Sequence, residues 1–305
     1  MMTVLQGFFP RPGGRNGRDK EALLETWRKR VEQLKESRPI YQKILDFYQK
    51  VKEEQERIKI ALRTESVPLK KDWKDLLAKE GFPLVQKQDF PLDIEACLDL
   101  FQSLCQIARG ANPILSEQVK RIEDTMREGR LNLKELFVEP KDKKIEQIAK
   151  EFGFDQKVLL FLIQNSAQPS IEEGMRQVSK ELGPDTWSKG ICPICGSSPF
   201  LSLLSEEIGK RSLVCSFCGY QWRTERLFCP FCGNKEQASL HYLYGENEES
   251  YRIDFCEKCH QYIKTIDLRK KDVPDPSLED LATLHLDMVA RERGYQRPVP
   301  TLFFF

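Results

Sequence analysis

The chain has 305 residues, with 48 Lys and Arg against 47 Asp and Glu, so its formal net charge is +1. This length exceeds what one compact core usually holds, and we expect two or three packed units. The balanced charge disfavours a strongly basic binder of polyanions. No apolar run reaches the length of a membrane span, and residues 1–20 lack the cationic and apolar segments of a secretory signal. We therefore expect a cytoplasmic protein that does not insert into membranes.

The N-terminal part of the chain is predicted to be all-α. Residues 1–18 are rich in Gly, Pro and Arg and indicate a flexible lead-in, after which a helical domain is expected over 19–186. Apolar residues recur at three- and four-residue steps from about residue 19 to 63, with a break at Pro39. Further helical patterns cover 92–109, 114–128, 143–152, 155–164 and 170–182.

Short β-rich runs replace the helices after Gly183 and Pro184. The candidate strands are 200–204, 212–214, 220–222, 240–244, 251–255 and 262–266. The last segment, 271–305, is expected to hold a helix that starts at Ser277 and ends near residue 293. It finishes in an apolar tail with three Phe residues, for which docking on the same chain is favoured over docking on a partner. The predicted fold class is thus α+β.

The cysteines decide most of the functional interpretation, because eight of the ten form four Cys-x-x-Cys pairs between Cys192 and Cys259. In a reducing compartment metal binding explains such pairs better than disulfides do. Two intervening residues let both sulfurs of a pair reach one metal ion. Three pairs are followed by a glycine, which adopts a positive φ at low cost. The fourth pair is followed by His260. We call each pair with its following residue a knuckle.

Spacing predicts which pairs share an ion. Sequential pairing leaves 19 and 23 residues between partners, whereas interleaved pairing leaves 33 and 37. The shorter gaps each suit one β-hairpin with a knuckle at both ends. We therefore predict two tandem four-cysteine units within 187–270, ribbon 1 over 187–226 and ribbon 2 over 227–270. The predicted ligands are Cys192, Cys195, Cys215 and Cys218 in ribbon 1, and Cys229, Cys232, Cys256 and Cys259 in ribbon 2.

Four thiolates suit zinc, and they also suit iron in a rubredoxin-like centre, so the spacing leaves the metal open. It also leaves open whether the ions only hold a region with little apolar core together. Cys97 and Cys105 are expected to be small buried hydrophobes. His260 is expected to be a surface residue more than a metal ligand.

Seven charged and aromatic residues around the knuckles allow two interpretations, a solvated face or a docking surface. They are Arg211, Arg223, Arg226, Tyr251, Arg252, Tyr262 and Lys264. Nucleic acid is not the expected partner, because residues 190–270 carry ten Lys and Arg against ten Asp and Glu. No catalytic constellation is recognised in the sequence, so no catalytic residue is predicted and an enzyme is not expected.

Several stretches of this sequence resemble the formate dehydrogenase accessory protein FdhE family. They are the four knuckles, 211–226 (RSLVCSFCGYQWRTER), 255–264 (FCEKCHQYIK) and 275–294 (DPSLEDLATLHLDMVARERG). The resemblance implies a helical domain followed by a double rubredoxin-like region, with the eight knuckle cysteines as ligands of two metal ions. It favours iron, with zinc as the alternative.

The resemblance also implies a function. Members of the family are non-enzymatic cytoplasmic maturation factors that contact the catalytic subunit of molybdenum- or tungsten-containing formate dehydrogenases and are needed for active enzyme. A second hypothesis is a rubredoxin-like redox protein that passes electrons to the same client or senses oxygen for it.

Overall fold

A computed structural model describes residues 17–138, 142–183, 187–245, 248–271, 273 and 275–299. Most of the predicted lead-in and the apolar tail from residue 300 lie outside the described residues, so the docking of the tail stays a prediction. The architecture is α+β, as predicted, with helices preceding a single sheet and two short helices following it. Within the described ranges, every helix is too short or too polar for a bilayer span.

The secondary structure elements follow each other in this order. The α-helices are α1 (Gly17–Ser37), α2 (Gln42–Lys59), α3 (Trp73–Asp75), α4 (Ile94–Arg109), α5 (Pro113–Arg127), α6 (Leu133–Val138), α7 (Asp142–Phe152), α8 (Gln156–Val178), α9 (Pro276–Leu281) and α10 (Leu284–Glu292). The strands are β1 (Pro199–Ser205), β2 (Lys210–Cys215), β3 (Gln221–Thr224), β4 (Leu240–Gly245), β5 (Glu248–Cys256) and β6 (Gln261–Asp267). Each predicted strand overlaps an observed one.

The chain forms two compact units. Of the described residues, unit 1 contains 17–39, 68–86 and 175–299, and unit 2 contains 40–67 and 87–174. Unit 1 therefore holds the sheet with α1, α3, α9 and α10, and unit 2 is helical. The domain boundaries predicted from the sequence follow changes in residue pattern along the chain, whereas the two units are groups of residues that contact one another. The predicted boundaries therefore stay a prediction.

Unit 2 is built around α4, which packs against α2 and α5. Side-chain caps start two of these helices. Asp93 accepts a hydrogen bond from the Ala96 backbone N–H at 3.1 Å, and Asn112 accepts one from Leu115 at 2.9 Å. Each cap satisfies a backbone donor that has no partner inside the helix.

Helix α8 corrects the sequence prediction of two separate helices at 155–164 and 170–182. The structure has one helix over Gln156–Val178, with Pro169 inside it. Pro169 lacks the N–H that would bond the carbonyl of Asn165 four residues earlier. The side chain of Gln55 replaces that donor, because its Nε2 donates to the backbone carbonyl of Asn165 at 3.0 Å. Because the freed carbonyl is satisfied, the helix continues past the proline.

The sheet joins the two predicted ribbons. Its strand order is β3-β2-β1-β6-β5-β4. Ribbon 1 supplies the antiparallel strands β1 to β3, and ribbon 2 supplies the antiparallel strands β4 to β6. A parallel pairing of β1 with β6, from Leu201 opposite Lys264 to Leu204 opposite Asp267, connects them.

The two faces of the sheet differ because side chains alternate along each strand. One face, the helix face, carries Leu203, Ile253 and Ile266, which pack with Leu286 and Ala290 of α10 in the core. The opposite face, the pocket face, carries a row of polar side chains, called the polar row, which consists of Ser202, Arg211, Arg252, Asp254 and Thr265.

The C-terminal helix differs from the predicted one. It starts at Pro276, and its N-cap is Asp275 instead of Ser277, because the Asp275 carboxylate accepts a hydrogen bond from the Ser277 backbone N–H at 2.9 Å. It is also interrupted between α9 and α10. Near this break, the buried ammonium of Lys264 donates hydrogen bonds to two backbone carbonyls, those of Asp280 at 2.8 Å and Thr283 at 3.4 Å. Since these carbonyls have a donor from the sheet, the helix can break there without leaving them unpaired.

Candidate metal centres

The structure gathers the eight knuckle cysteines into two groups of four. Within each group the four Sγ atoms all lie within 4.8 Å of one another, so each group can hold a metal ion. The grouping follows the sequential pairing. Centre 1 contains Cys192, Cys195, Cys215 and Cys218, and centre 2 contains Cys229, Cys232, Cys256 and Cys259.

The knuckle turns place both sulfurs of a pair on the same side. In the first knuckle the N–H of Gly196 donates to the Cys192 carbonyl at 2.9 Å, with Gly196 at a φ of +73°. Gly219 and Gly233 have φ values of +74° and +75°. His260 adopts the same left-handed region with a φ of +52°, and its side chain is exposed. His260 belongs to neither cysteine group.

The sulfur spacing fits one tetrahedral ion in each centre. Nearest Sγ–Sγ distances are 3.3 and 3.7 Å in centre 1 and 3.7 and 3.8 Å in centre 2. Metal–sulfur bonds of about 2.3 Å in a tetrahedron place sulfurs about 3.8 Å apart, whereas a disulfide requires about 2.05 Å. This donor set and geometry suit zinc and iron alike.

Hydrogen bonds to sulfur add to the case that the cysteines act as thiolates. Phe217 and Cys218 direct their backbone N–H groups at the Cys215 sulfur, at 3.4 and 3.5 Å. In centre 2 the side-chain amide of Asn234 donates to the Cys256 sulfur at 3.4 Å. Such contacts orient metal ligands and stabilise their negative charge.

The acidity of the thiols depends on burial and on these hydrogen bonds. Burial raises the pKa of Cys192 and of Cys218 well above the ordinary thiol value. Burial opposes ionisation of Cys256 too, but the hydrogen bonds from Asn234 and the backbone outweigh it and lower the pKa of Cys256 to about 7. A bound cation would replace the protons that the buried thiols otherwise keep.

The two centres differ in their exposure. All four cysteines of centre 1 are buried, whereas in centre 2 Cys232 is exposed and Cys259 is half-buried. A loop of unit 1 covers the first knuckle, with Leu84 and Val85 donating their N–H groups to the carbonyls of Pro193 and Ile194 at 2.9 and 2.8 Å. This contact could not be predicted from the sequence, because it is made by backbone atoms of residues more than 100 positions apart.

The environment of Gly196 and Gly233 shows the same difference. A Cβ added at Gly196 would lie 3.1 Å from the ring of Pro83, whereas one added at Gly233 would meet no atom within 4 Å. Centre 1 is therefore enclosed by other parts of the chain, and the knuckle of centre 2 that contains Cys232 borders open space.

The seven residues that flank the knuckles are mostly inside the protein. Only Arg223 and Arg226 are exposed, whereas Arg211, Tyr251, Arg252, Tyr262 and Lys264 are buried. Neither predicted interpretation, a solvated face or a docking surface, holds for those five. Strand alternation places them on the two faces of the sheet, where other segments cover them.

The other two histidines and the remaining two cysteines belong to neither centre. His241 and His285 lie 2.9 Å from carboxylate oxygens of Glu257 and Glu248. Cys97 and Cys105 are buried in α4, as predicted, and burial raises the pKa of both thiols to about 12.

Fold and site together define a class of α+β proteins in which two four-cysteine ribbons share one sheet. Sequence models of FdhE match this chain over residues 191–226, described as "FdhE, central domain", and 227–304, described as "FdhE, C-terminal domain". A "Protein FdhE homolog" of Aquifex aeolicus is 30% identical over 287 residues, which covers 93% of this chain and 96% of that protein. The chain belongs to the FdhE family.

Two further comparisons agree. A "Protein FdhE homolog" of Shewanella oneidensis is 34% identical over 109 residues, 35% of this chain and 36% of that protein. The crystal structure of the FdhE protein from Pseudomonas aeruginosa superposes with a TM-score of 0.63 at 21% identity, covering 95% of this chain and 98% of that one. At this identity the superposition shows that the fold is shared.

Proposed function

We propose that this protein is a non-enzymatic accessory factor that binds the catalytic subunit of a molybdenum- or tungsten-containing formate dehydrogenase and supports its assembly into active enzyme. Membership of the FdhE family along 93% of the chain carries the proposal, together with the resemblance of its knuckle segments to formate dehydrogenase accessory proteins. The protein acts in the cytoplasm, where its client is synthesised.

The eight knuckle cysteines bind two metal ions in this proposal, with iron favoured and zinc as the alternative. The two four-sulfur groups and their spacing support it. An ion in each centre would crosslink the ends of a hairpin and hold the sheet in one conformation. The client would then meet a preorganised surface, which lowers the entropy cost of binding.

Genetic complementation with affinity capture tests this proposal. A strain that lacks this protein but keeps its formate dehydrogenase receives the tagged wild type, a C229A/C232A variant or a C97A/C105A control. The control removes two cysteines that lie outside the centres. We expect wild type and control to restore formate dehydrogenase activity and to capture the catalytic subunit anoxically, and the knuckle variant to lose both. Full activity without this protein, or no catalytic subunit on the wild type, would overturn the proposal.

A second candidate function is redox work at centre 2. Its exposed Cys232 favours this, because a solvent-accessible thiolate centre can exchange electrons with a partner or react with oxygen. Metal analysis of anoxically purified protein discriminates the two functions. Iron with a visible absorption that reduction bleaches reversibly would support redox work. A colourless protein with two zinc ions would exclude it, since zinc has no accessible second oxidation state.

A further inference from the structure

A cavity of about 120 Å³ lies beside centre 2 on the pocket face of the sheet. Cys229 and Cys256 of centre 2 contribute to its lining, as do three arginines, Arg211, Arg226 and Arg252. Ribbon 1 contributes Arg211 and Arg226, of which only Arg211 is buried, while the cysteines beside it belong to ribbon 2.

The side chain of Arg211 fixes the chain where it enters centre 2. Its Nε donates to the hydroxyl of Ser202 in β1 at 2.9 Å, which orients the guanidinium. Its Nη1 donates to the carbonyl of Phe228 at 2.6 Å. Phe228 directly precedes the ligand Cys229. A side chain of the first ribbon therefore holds the first knuckle of the second ribbon in place.

The charges around Arg211 do not balance within the polar row. Arg211 is 4% exposed and Arg252 is 8% exposed, and both pair with one carboxylate, that of Asp254. Arg252 lies 2.9 Å from it and Arg211 only 3.7 Å. The hydroxyl of Thr265 donates to the same carboxylate at 2.6 Å. Two buried guanidinium groups thus share one carboxylate, and a buried charge without a counter-ion is costly.

With a divalent ion bound, centre 2 would supply the missing negative charge. A divalent ion with four thiolate ligands has a net charge of about −2, and its field acts strongly at short range in a poorly hydrated site. Burial and the neighbouring guanidinium of Arg252 lower the pKa of Arg211, while the carboxylate of Asp254 favours its charged form. The excess cation of the polar row and the excess anion of the metal centre are therefore complementary.

We propose that Arg211 is a positioning residue of centre 2, which fixes the Phe228 carbonyl and offsets the charge of the four thiolates. The first ribbon then controls how tightly the second ribbon holds its metal. This inference rests on the proposed metal binding.

Metal release from the full chain tests the assignment. Wild type, R211M and R211K are loaded anoxically with zinc, and release is followed with a chromophoric chelator. C229A/C232A and C192A/C195A identify the release phase of each centre. We expect R211M to speed release from centre 2 by about tenfold, a typical loss when a residue that supports the ligands is removed. Centre 1 of the same molecule should be unaffected. R211K keeps the positive charge but lacks the several N–H donors of the guanidinium, so its release rate from centre 2 should lie between those of wild type and R211M.

Two further variants keep the test decisive. S202A removes only the hydroxyl that orients Arg211, and it should speed release from centre 2 by less than R211M does. R223M is the matched control, because Arg223 belongs to the same ribbon but its side chain is exposed. It should leave both centres at wild-type rates.

A measurement of the reduction potential of centre 2 distinguishes an effect of the Arg211 charge from an effect of its packing. With iron loaded anoxically as the probe, R211M should lower this potential and R211K should not, because a nearby cation favours the more negative, reduced centre. Equal acceleration at both centres, unchanged release in R211M, or faster release without a change of potential would overturn the assignment. If wild-type protein retains zinc in neither centre, the proposed metal binding fails first and the role of Arg211 fails with it.

Discussion

His260 holds the fourth knuckle in the left-handed conformation that glycine adopts in the other three. A residue with a Cβ pays about 1–2 kcal/mol for that conformation. Contacts around His260 offset part of this cost. Its carbonyl accepts a hydrogen bond from Gln296 at 2.8 Å, and its ring lies 5.9 Å from the ring of Tyr295. The position therefore requires a positive φ and tolerates histidine because the C-terminal segment packs on it.

The first prediction concerns this position. We expect H260G to unfold at the same temperature as wild type or higher, because glycine removes the strain while the loss of the ring contact opposes the gain. H260V should be less stable by about 1 kcal/mol and should release metal faster from centre 2, since a β-branched residue fits a positive φ poorly. Thermal unfolding and metal release measure both effects. Equal stability of the glycine and valine variants would contradict the argument.

At the scale of elements, the knuckles could be predicted because their information is local. Two cysteines and a following residue with a positive φ are adjacent in the sequence, and hairpin length limits which pairs meet. The parallel pairing of β1 with β6 could not be predicted, because alternating apolar residues define a strand but not its neighbour. The continuity of α8 at Pro169 could not be predicted either, since the donor that replaces the missing N–H is the side chain of Gln55 in another helix.

Buried charges were mispredicted for the same reason. Lys264 lies on a predicted strand, and the sequence favours solvent for a long charged side chain of this kind. In the structure Asp280 of α9 and Asp287 of α10 lie 2.8 and 2.7 Å from its ammonium. These partners come from elements that the sequence does not align with β6. The sequence therefore shows which residues carry charge, but tertiary packing determines which of them are inside.

Helix α1 is attached to α9 in the same way. Trp27 donates through its indole N–H to Asp275 at 3.0 Å, and this carboxylate also caps α9. Arg30 contacts both carboxylate oxygens of Glu279, at 2.5 and 2.8 Å. The Glu279 side chain is 0% exposed. These residues are 248 and 249 positions apart, so only the fold brings them together.

The second prediction tests this attachment. We expect R30M to destabilise unit 1 by about 3 kcal/mol, because it leaves the carboxylate of Glu279 buried without its cation. Adding E279Q to R30M should recover part of the loss, since the amide carries no charge. Urea unfolding gives the stability, and hydrogen exchange over 275–292 reports α9 and α10 directly.

The neighbouring Lys29 provides the control for this prediction. It pairs with Glu25 on the solvent side of α1, with both side chains largely exposed. Surface ion pairs of this kind contribute little to the free energy of unfolding, so K29M should show no measurable loss of stability. If R30M behaves like K29M, the buried pair does not hold α1 to α9.

At the scale of the whole molecule, the cysteines fall into three environments. Centre 2 has an exposed and a half-buried cysteine, centre 1 is entirely buried, and both lie in unit 1. Cys97 and Cys105 lie in unit 2, each 1% exposed. Since the cysteines of unit 2 belong to neither centre, we expect its helical core to keep its packing when metal is removed.

The third prediction follows from these environments and is made for metal removal under anoxic, reducing conditions. A chelator with a thiol-alkylating reagent should label the cysteines of centre 2 first, those of centre 1 more slowly, and Cys97 and Cys105 only after a denaturant is added. Exposed thiolates react first, while burial keeps the last two thiols protonated and out of reach. Mass spectrometry of the alkylated peptides measures the order, and hydrogen exchange in parallel should show β6 losing protection while α4 keeps it. Without chelator, labelling in centre 1 should be slow, which controls for simple accessibility. Early alkylation of Cys97 or Cys105 on chelation would mean that unit 2 unfolds with the metal centres, and the two units would then not be independent in stability.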